Sequence, residues 1–527
     1  MADKDRSLHW HVLGGNNKHR IGANCGLCVY EETDDLGHTT KKTILFDAGI
    51  LVGDQRSPED PALSDSDIVI PDLSRFLKKT GDPSHRPEME IDSIFLTHSH
   101  VDHLGAIPFL ILSGFEVPRI YATPYTARRL EQELSNAGLG PEEWPHIYTI
   151  APGKAVEEGP VSVTAFSVSH STPQSVGFFI KTPEGNILTT GDFKLDQTVV
   201  WGPAFSEEQF RRVVDKPVDL LLLDSTGADR DIPPVTEADV RETLRDLMEL
   251  HPNKRFIIAV MGGFEENLAS VAMVTAEYGR TLWLSGWSHE QSVAAMQETG
   301  MFLPDRVDND LEQRLLMPGK AARDLASAKP GASVVVVTGA QGQQNATLTR
   351  AADGRHNALE LNPAKDIILF CAPSIPGQEG SRERLLATLR NKGFTVLTRK
   401  EAPLYAHAHA RLPEILEMSR LADARTVLPV HGDAKLRQDC ANTMEKTGKR
   451  TLMADNGDVI RIMKDGARSV SPVTKGKPRL TGFKTMTGTM WYDRNYLMVN
   501  TGPERNPPPP PANNNVRRPK IFNINPK

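Results

Sequence analysis

Apolar runs rich in β-branched residues recur along most of the chain, and this recurrence limits the folds that it can adopt. Examples are TILFDAG at 43–49, DLLLLDS at 219–225, SVVVVTG at 333–339 and TVLPVHG at 426–432. Stretches with helical apolar spacing, such as 237–250 and 265–279, lie between these runs. Each run has the length and composition of a buried strand, and each spaced stretch those of an amphipathic helix. Their alternation predicts an α/β architecture built in layers.

Size and composition exclude several classes of protein. A chain of 527 residues is too long for one average domain, so we expect two or three. No apolar run approaches the ~20 residues needed to cross a bilayer, and the first residues, MADKDRSLHWH, lack the apolar core of a signal peptide. The 4 cysteines do not make a disulfide framework in so long a chain, so we expect a cytoplasmic protein that does not enter a membrane. The net charge of -6 implies that any nucleic acid would bind in a local basic groove.

A dense group of polar residues, THSHVDH at 97–103, follows an apolar strand. It places His98, His100, Asp102 and His103 immediately before an expected helix. Burying so many polar side chains without partners would cost too much free energy. Neutral imidazole nitrogens and carboxylate oxygens are the ligands that zinc and similar ions prefer. The motif therefore predicts a metal site, and the alternative is a solvated polar loop.

This motif resembles the HxHxDH signature of the metallo-β-lactamase superfamily, and the other segments typical of that family are present in order. They are LFDAG with Asp47, SVSHS with His170, LTTGD with Asp192 and LPVHGD with His431. The resemblance implies a first metal held by His98, His100 and His170. It implies a second metal held by Asp102, His103 and His431, with Asp192 bridging both ions and Asp47 orienting a histidine ligand.

The long gap between Asp192 and His431 has strands and helices of its own, so we expect it to hold an inserted domain. With this insertion the chain resembles the β-CASP nucleases, and ribonuclease J in particular, from about residue 8 to about residue 465. The likeness rests on DLLLLDSTGAD, which contains Asp224, on VVVVTGAQGQQN, on ILFCAPSIPGQE and on the block from YAHAHARLPEIL to LPVHGD, which contains His409.

The resemblance implies an α/β fold, a metallo-β-lactamase αββα sandwich with an inserted α/β β-CASP domain. We expect the first part of the sandwich at 1–224, the β-CASP domain at 225–370 and the completing part of the sandwich at 371–465. Residues 466–527 are expected to form a C-terminal extension that ends in a flexible tail rich in Pro and Asn, with PPPPP at 507–511.

The same resemblance implies a metal-dependent ribonuclease that cleaves single-stranded RNA from the 5′ end and also internally. Two divalent ions, zinc or else manganese or magnesium, would supply the chemistry. Asp192 and Asp47 would act through the metals. His409 would stabilise the phosphate or protonate the departing oxygen, and Asp224 would orient a histidine. Two alternatives stay open, a nuclease directed at single-stranded DNA and a nucleic-acid-binding scaffold with an inactive metal site, and a homodimer is left open too.

The segment expected to hold the 5′ phosphate departs from the family pattern. Ribonuclease J has the serine of an SGH turn where this chain has His407, two positions before His409. A second phosphate-binding loop is expected at Thr338, Gly339, Gln341 and Gly342. Because an imidazole titrates near neutral pH, we expect a preference for a 5′ monophosphate that strengthens as the pH falls toward ~6. The alternative is that His407 points away and the pocket is lost.

Overall fold

The computed structural model describes residues 5–51, 68–82, 84–301, 320–375, 378–464 and 466–470, and short strands at 480–483, 491–493 and 496–498. The Pro- and Asn-rich tail expected from the sequence lies outside these residues. Across the described ranges, every helix falls short of the length and apolar character that a bilayer-spanning segment requires.

The first domain contains two large sheets with helices outside them. Its strands before the insertion are β1 (Asp5–Gly14), β2 (Cys25–Thr33), β3 (Thr39–Phe46), β4 (Ile68–Pro71), β5 (Ser93–Phe95), β6 (Arg119–Ala122), β7 (Ile147–Thr149), β8 (Ala155–Glu158), β9 (Val161–Ser167), β10 (Val176–Lys181), β11 (Asn186–Thr189) and β12 (Leu220–Asp224). Its helices there are α1 (Val101–Leu104), α2 (Ile107–Leu112), α3 (Pro124–Asn136) and α4 (Glu207–Val213).

The inserted domain comes next, and the chain then returns to the first domain. The insertion contributes the strands β13 (Arg255–Val260), β14 (Thr281–Ser285), β15 (Ser333–Val337), β16 (Asp366–Cys371) and β17 (Thr395–Leu397), and the helices α5 (Glu237–Leu250), α6 (Glu265–Glu277), α7 (Trp287–Glu298), α8 (Lys320–Ser327), α9 (Thr347–Ala352) and α10 (Glu379–Asn391). The returning part contains α11 (Leu412–Ala422), β18 (Thr426–Val430), α12 (Ala434–Lys446), β19 (Arg450–Thr451), β20 (Val459–Met463) and β21 (Gly466–Val470), and it is followed by β22 (Leu480–Phe483), β23 (Trp491–Asp493) and β24 (Tyr496–Met498).

The two large sheets of the first domain pack face to face. Their strand orders are β21-β20-β1-β2-β3-β5-β6-β7 and β19-β18-β12-β11-β10-β9-β8. Aromatic side chains fill the space between them, where the ring of Phe95 lies 5.6 Å from those of Phe46 and Phe178. Helix α3 covers the outer face of the first sheet, and α4, α11 and α12 cover that of the second. The expected αββα sandwich is confirmed.

The inserted domain is built on a 5-stranded parallel sheet in the order β14-β15-β13-β16-β17. Helices α5, α6 and α7 pack on one face, and α8, α9 and α10 pack on the other. Strands covered on both faces are apolar throughout, as in SVVVV of β15, whose residues are all buried. The expected inserted α/β domain is confirmed as well.

Two expected domain boundaries fall inside sheets. Residue 370, where the sequence placed the return to the first domain, lies within β16, and β17 pairs with β16 beyond it. Residue 466, the expected start of the extension, begins β21, which pairs with β20 in the first sheet. Apolar patterning marks strands but does not say which sheet a strand joins. We propose that the inserted domain continues to Leu397 and the sandwich to Val470.

Candidate metal centre

The chemically distinctive side chains lie where parallel strands end. Asp47 follows β3, the 97–103 segment follows β5, Asp192 follows β11, Asp224 ends β12 and His431 follows β18. Strands β3 and β5 are parallel, and so are β11, β12 and β18. The carboxyl ends of parallel strands meet at one edge of a sheet, where ligands bind in α/β proteins. The topology therefore gathers residues that are far apart in the chain.

Two groups of side chains at this edge could each hold a cation. We name His98, His100, His170 and Asp192 the first cluster, and Asp102, His103, Asp192 and His431 the second cluster. Within each group the ligand atoms all lie within 4.8 Å of one another. The structure thus brings together every residue that the sequence predicted as a metal ligand.

Asp192 joins the two clusters. Its Oδ2 lies 3.2 Å from Nε2 of both His103 and His431 in the second cluster. The same oxygen lies 3.6 Å from Nε2 of His98 and 3.9 Å from Nε2 of His170 in the first cluster. A single buried carboxylate oxygen therefore faces imidazoles of both groups, which is the position that a bridging ligand needs.

Hydrogen bonds fix which nitrogen of each histidine in the first cluster faces inward. Thr97 Oγ1 donates to the Asp47 carboxylate, so it accepts from Nδ1 of His98, which lies 2.9 Å away. Nε2 of His100 donates to the carbonyl oxygen of Gly263 at 2.9 Å. Because these nitrogens carry the protons, Nε2 of His98 and Nδ1 of His100 are left as free lone pairs.

His170 completes the first cluster in the same way. Its Nδ1 donates to the carbonyl oxygen of Ala408 at 2.7 Å, and its Nε2 lies 3.1 Å from Nδ1 of His100. Two unprotonated nitrogens would repel each other at that distance, whereas a cation between them would bind both. The first cluster is therefore a set of converging imidazole lone pairs.

The second cluster has side-chain partners behind its histidines. Nδ1 of His103 donates to Asp47 Oδ2 at 2.7 Å, and Nδ1 of His431 donates to Thr226 Oγ1 at 2.9 Å. Their Nε2 atoms point inward, where the Nε2 of His431 lies 3.3 Å from Asp102 Oδ2. A histidine ligand whose second nitrogen donates to a carboxylate or hydroxyl is held in one tautomer and orientation.

The donor atoms fit divalent cations. Nε2 of His98 is fully buried and has no hydrogen-bond partner in the described structure. A buried nitrogen without a partner is costly unless something absent from the protein chain binds it. Imidazoles together with carboxylates form the set that zinc prefers, and a metallo-β-lactamase fold implies divalent metals.

The two clusters differ in their electrostatics. Burial lowers the pKa of both His98 and His170 well below the usual range, so these two imidazoles of the first cluster are neutral. Burial also opposes the charging of His103, but neighbouring carboxylates, led by Asp192, outweigh it and raise the pKa of His103 to about 10. Burial would raise the pKa of Asp192, yet His103 and other imidazoles hold it well below its usual range. In the second cluster protons therefore occupy positions where a cation would neutralise the carboxylates.

Two residues of the centre have backbone conformations that side-chain-bearing residues rarely adopt. The φ angle is +60° at Asp47 and +52° at His431. Such conformations cost on the order of 1–3 kcal/mol and persist where surrounding contacts impose them. Here the Asp47 carboxylate accepts from the backbone and hydroxyl of Thr97, and the His431 carbonyl lies 2.7 Å from the hydroxyl of Thr226.

A third group lies beside the two clusters and contains the expected pair Asp224 and His409. Nδ1 of His409 donates to Asp224 Oδ2 at 2.9 Å and lies 3.8 Å from Asp192 Oδ2. The side chain of His409 is 23% exposed, whereas that of Asp224 is 1% exposed. A buried carboxylate thus orients a histidine that remains accessible beside the metal ligands.

His407 lies among cations and not in a pocket of its own. Its Nε2 is 2.9 Å from a guanidinium nitrogen of Arg399, and its Nδ1 is hydrogen-bonded to Arg411. Burial, with Arg399 and Arg411 next, lowers the pKa of His407 to about 2. A pKa that low opposes protonation of the ring at pH 6, so it argues against the expected strengthening of a 5′-monophosphate preference toward that pH, which stays a prediction to be measured. The sequence could not reveal that guanidinium groups surround this histidine.

The expected phosphate-binding loop follows β15. Gln341 is buried, and its amide donates to the Pro373 carbonyl at 2.6 Å and accepts from the Ile375 amide at 3.2 Å. Gly339 and Gly342 have φ angles of +110° and +76°, and Thr338 is half-buried against Gly286. Gln341 thus stabilises this loop, and none of the hydrogen bonds described for His407 or Gln341 joins the two.

Several residues of the centre were not found from the sequence. Thr97 and Thr226 orient histidines through their hydroxyls, but a threonine at a strand end is too common to signal this. Gly263 and Ala408 act through backbone carbonyls, which every residue possesses. The only usable signal was the pair Gly262 and Gly263, because adjacent glycines often mark a close approach of the backbone.

Comparison with known proteins agrees with this architecture. Residues 43–258 match the Beta-lactamase superfamily domain, and residues 253–389 match the domain named Ribonuclease J, beta-CASP domain. A crystal structure of a protein of unknown function from Enterococcus faecalis superposes with a TM-score of 0.60 at 17% identity, covering 86% of this chain and 100% of that chain. At that identity the superposition shows a shared fold.

Two curated relatives are similar over most of their length. Ribonuclease J 1 of Streptococcus pyogenes is 30% identical over 431 residues, which is 81% of this chain and 71% of that protein. Ribonuclease J of Mycobacterium tuberculosis is 28% identical over 480 residues, which is 89% of this chain and 77% of that protein. With the matching domains and the assembled ligand set, these similarities show that the chain belongs to the ribonuclease J family.

Proposed function

We propose that this chain hydrolyses the phosphodiester bonds of single-stranded RNA, proceeding from the 5′ end and also cutting internally, with two zinc ions in the clusters. Its family membership makes it a metal-dependent ribonuclease. The single-stranded substrate, the direction and the choice of zinc over manganese or magnesium are the proposed parts. A homodimer and a cytoplasmic location, both expected from the sequence, stay predictions.

The position of Asp192 is the observation that carries the proposal. Its Oδ2 faces imidazole nitrogens of both clusters at 3.2–3.9 Å. Two ions that share one carboxylate lie close enough to act on the same phosphate. A scaffold that merely binds nucleic acid would have no need of a buried nitrogen without a hydrogen-bond partner such as Nε2 of His98.

When bound, two such cations polarise a phosphate group and lower the pKa of water toward neutrality. The side chains nearby supply proton transfer and orientation. Asp224 holds the protonated Nδ1 of His409, which leaves Nε2 as the ring nitrogen available to a substrate. When Nε2 is protonated as well, so that the ring is an imidazolium held by Asp224, His409 would donate a hydrogen bond to a phosphate oxygen or that Nε2 proton to the departing oxygen. Asp224 would act as a positioning residue for it.

We assign the 5′ phosphate of the substrate to the guanidinium groups around His407. In the described structure neither Arg399 nor Arg411 forms an ion pair with a carboxylate, and the buried Nε of Arg411 has no hydrogen-bond partner. Burial, with Arg230 and Arg399 next, lowers the pKa of Arg411 to about 10, which still leaves it charged at neutral pH. Guanidinium forks match the oxygens of a phosphate. We name Arg399 and Arg411 the arginine pocket. In this proposal their guanidinium groups bind the phosphate, in place of the titrating His407 that the sequence suggested.

The test is cleavage of matched RNA and DNA oligomers of one sequence, single-stranded or duplex, with 5′-monophosphate, 5′-triphosphate or 5′-hydroxyl ends. We expect the zinc-loaded chain to degrade single-stranded 5′-monophosphate RNA fastest and to release nucleotides from the 5′ end. Equal rates on DNA would contradict the assignment to RNA, since nothing would then depend on the 2′-hydroxyl. If the pattern of products did not depend on the 5′ group, the assignment of the 5′ phosphate to Arg399 and Arg411 would be contradicted. The chain would then act as an endonuclease.

A further inference from the structure

The turn between β13 and α6 reaches from the inserted domain to a ligand of the first cluster. The carbonyl oxygen of Gly263 accepts from Nε2 of His100 at 2.9 Å. It also accepts from the hydroxyl of Ser171, the residue after His170, at 3.2 Å. A carbonyl can only accept, so Nε2 must carry the proton of the His100 ring and Nδ1 must keep its lone pair. The tautomer of a first-cluster ligand is therefore set from the other domain.

This turn requires glycine at Gly263. Its φ angle is +85°, and a Cβ atom there would lie 3.1 Å from both Cδ2 and Nε2 of His100. At Gly262 a Cβ atom would lie 2.9 Å from the side chain of Ser288. The backbone therefore approaches the imidazole more closely than a side chain would allow.

A buried carboxylate at the start of α6 anchors the turn to the first domain. Glu266 accepts from the backbone amides of Val200 and Trp201, at 2.5 and 3.1 Å. The amide of Glu266 itself donates to the carbonyl of Ser171 at 3.0 Å. Glu266 is 1% exposed, so its carboxyl group forms these hydrogen bonds in place of hydrogen bonds to water. Without them, burying the group would cost too much free energy. The anchor holds Gly263 at a fixed distance from His100.

We propose that Gly263 is a positioning residue whose carbonyl fixes the tautomer of His100, so that cation binding by the first cluster and docking of the inserted domain depend on each other. A cation that uses the Nδ1 lone pair favours the tautomer that Gly263 stabilises. By thermodynamic linkage, binding of that cation must then strengthen the contact between the domains by the same factor. The partners described for the second-cluster histidines are Asp47 and Thr226, which lie beside the ends of β3 and β12 in the first domain's sheets and not in the turn between β13 and α6.

The inference rests on the proposed function in one respect, that cations occupy the clusters. It is tested on the full-length chain by equilibrium zinc binding in competition with a chromophoric chelator, without RNA. Gly263→Ala should weaken the first-cluster cation by about 10–100-fold, the range found when partners behind metal ligands are removed. The same titration in a His431→Ala background, which removes a ligand of the second cluster, isolates the first-cluster step.

Gly279→Ala is the matched control. Gly279 follows the end of the same helix with a φ angle of +60°, and a Cβ atom there would meet nothing within 4 Å. It therefore carries the same kind of backbone strain without touching His100, and we expect its zinc affinity to equal that of the wild type. Equal losses in the two variants, or no loss in Gly263→Ala, would overturn the proposal.

Amide hydrogen exchange of the wild type supplies a readout that does not depend on a variant folding. Zinc should slow exchange at the Val200 and Trp201 amides, which the anchor protects, and Glu266→Gln should reduce this effect. Unchanged exchange at both amides on zinc binding would refute the linkage. A wild type that binds zinc with these couplings but leaves RNA intact would refute the proposed function and leave this inference standing.

Discussion

The two clusters share Asp192 but differ in what holds their other ligands in place. In the second cluster, the outward nitrogens of both imidazoles bind side chains beside the strands of the first domain, Asp47 directly after β3 and Thr226 two residues after the end of β12. In the first cluster, two outward nitrogens bind backbone carbonyls, that of Gly263 in the inserted domain and that of Ala408 in the connection leaving it. The second cluster is thus formed within the sandwich, whereas the first is complete only when the inserted domain is docked.

Their charges differ in the same sense. The second cluster contains two carboxylates, Asp102 and Asp192, whereas the first contains only the shared one. Burial opposes the ionisation of Asp102, but His103 and His431 outweigh it and lower its pKa to about 2. A cation at the second cluster would therefore be attracted by two carboxylates, and one at the first would depend more on the alignment of the three imidazoles. The comparison teaches that the first domain supplies the charges that attract cations, whereas the inserted domain aligns a histidine of the first cluster through the Gly263 carbonyl.

Removing the carboxylate that the two clusters share should abolish cation binding at both, and with it any difference in affinity between them. Asp192→Ala deletes the oxygen that both clusters face, so we expect loss of metal from both and a fall in turnover of at least about 10³-fold, since two-metal electrostatics contribute several kcal/mol. Elemental analysis of the purified protein and cleavage of labelled RNA measure the two effects. Wild-type turnover in this variant would remove the basis of the proposed function.

Asp219→Asn is the control for that variant. Asp219 is 2% exposed and lies at the amino ends of β11 and β12, where it accepts from the Asn186 amide and pairs with Arg425. Asp192 lies at the carboxyl ends of the same strands. We expect Asp219→Asn to lower stability but to keep metal content and turnover per folded molecule.

Graded chelation should sharpen the comparison. At about 4 Å an additional charge is worth up to about 4 kcal/mol in a partly screened site, so the second cluster should hold its cation on the order of 100-fold more tightly. Limited dialysis against a chelator should leave a stable form with about one cation per chain, and Asp102→Asn should remove that form. Loss of both cations in a single step for the wild type would show that they bind as a unit.

Sequence alone predicted four of the candidate ligands because they lie together in one short segment. His98, His100, Asp102 and His103 lie within one strand-end loop, and so many imidazoles and carboxylates in so short a segment are typical of a metal site. The layered fold followed from apolar runs whose burial the structure confirms, such as Leu220–Asp224 in β12. These features depend on neighbours in the chain, which a sequence displays directly.

What the sequence could not supply depends on neighbours in space. Burial, and next Arg399 and Arg411, lower the pKa of His407 in an environment that forms only when the connection after β17 folds back on itself. The contribution of Gly263 is a carbonyl, which no side-chain pattern encodes. The expected boundary at residue 370 divides a sheet because β17, Thr395–Leu397, is only three residues long and is recognised by its pairing with β16.

The arginine pocket should give a smaller effect than the metals. Hydrogen bonds to charged groups contribute about 1.5–3 kcal/mol, so Arg411→Ala should lower the rate ratio of 5′-monophosphate to 5′-hydroxyl RNA by roughly tenfold or more. Arg411→Lys keeps the positive charge but not the forked guanidinium group, so its rate ratio should lie between those of the wild type and Arg411→Ala. Because the pKa of His407 is lowered to about 2, and because a phosphate monoester loses its second proton at about pH 6, we expect the wild-type ratio not to rise as the pH falls from about 8 to about 6. A ratio that rises toward pH 6 and flattens in His407→Ser would show that the histidine titrates after all.

The smallest expected effect concerns Glu266, which holds the inserted domain against the first. Burial raises the pKa of Glu266 to about 7, although the bonds from Val200 and Trp201 oppose the shift. The pKa of a glutamate in the unfolded chain is ~4.3, below the value in the folded chain. Such a group contributes stability that is fully present below pH ~4.3 and is lost as the pH rises toward and through the folded pKa of about 7. We expect the free energy of unfolding of the metal-free chain to fall by on the order of 1 kcal/mol between about pH 5.5 and about pH 7.5 from this group alone. Glu266→Gln, which cannot ionise, should lose that slope in denaturant titrations, and an unchanged slope would place the titrating group elsewhere.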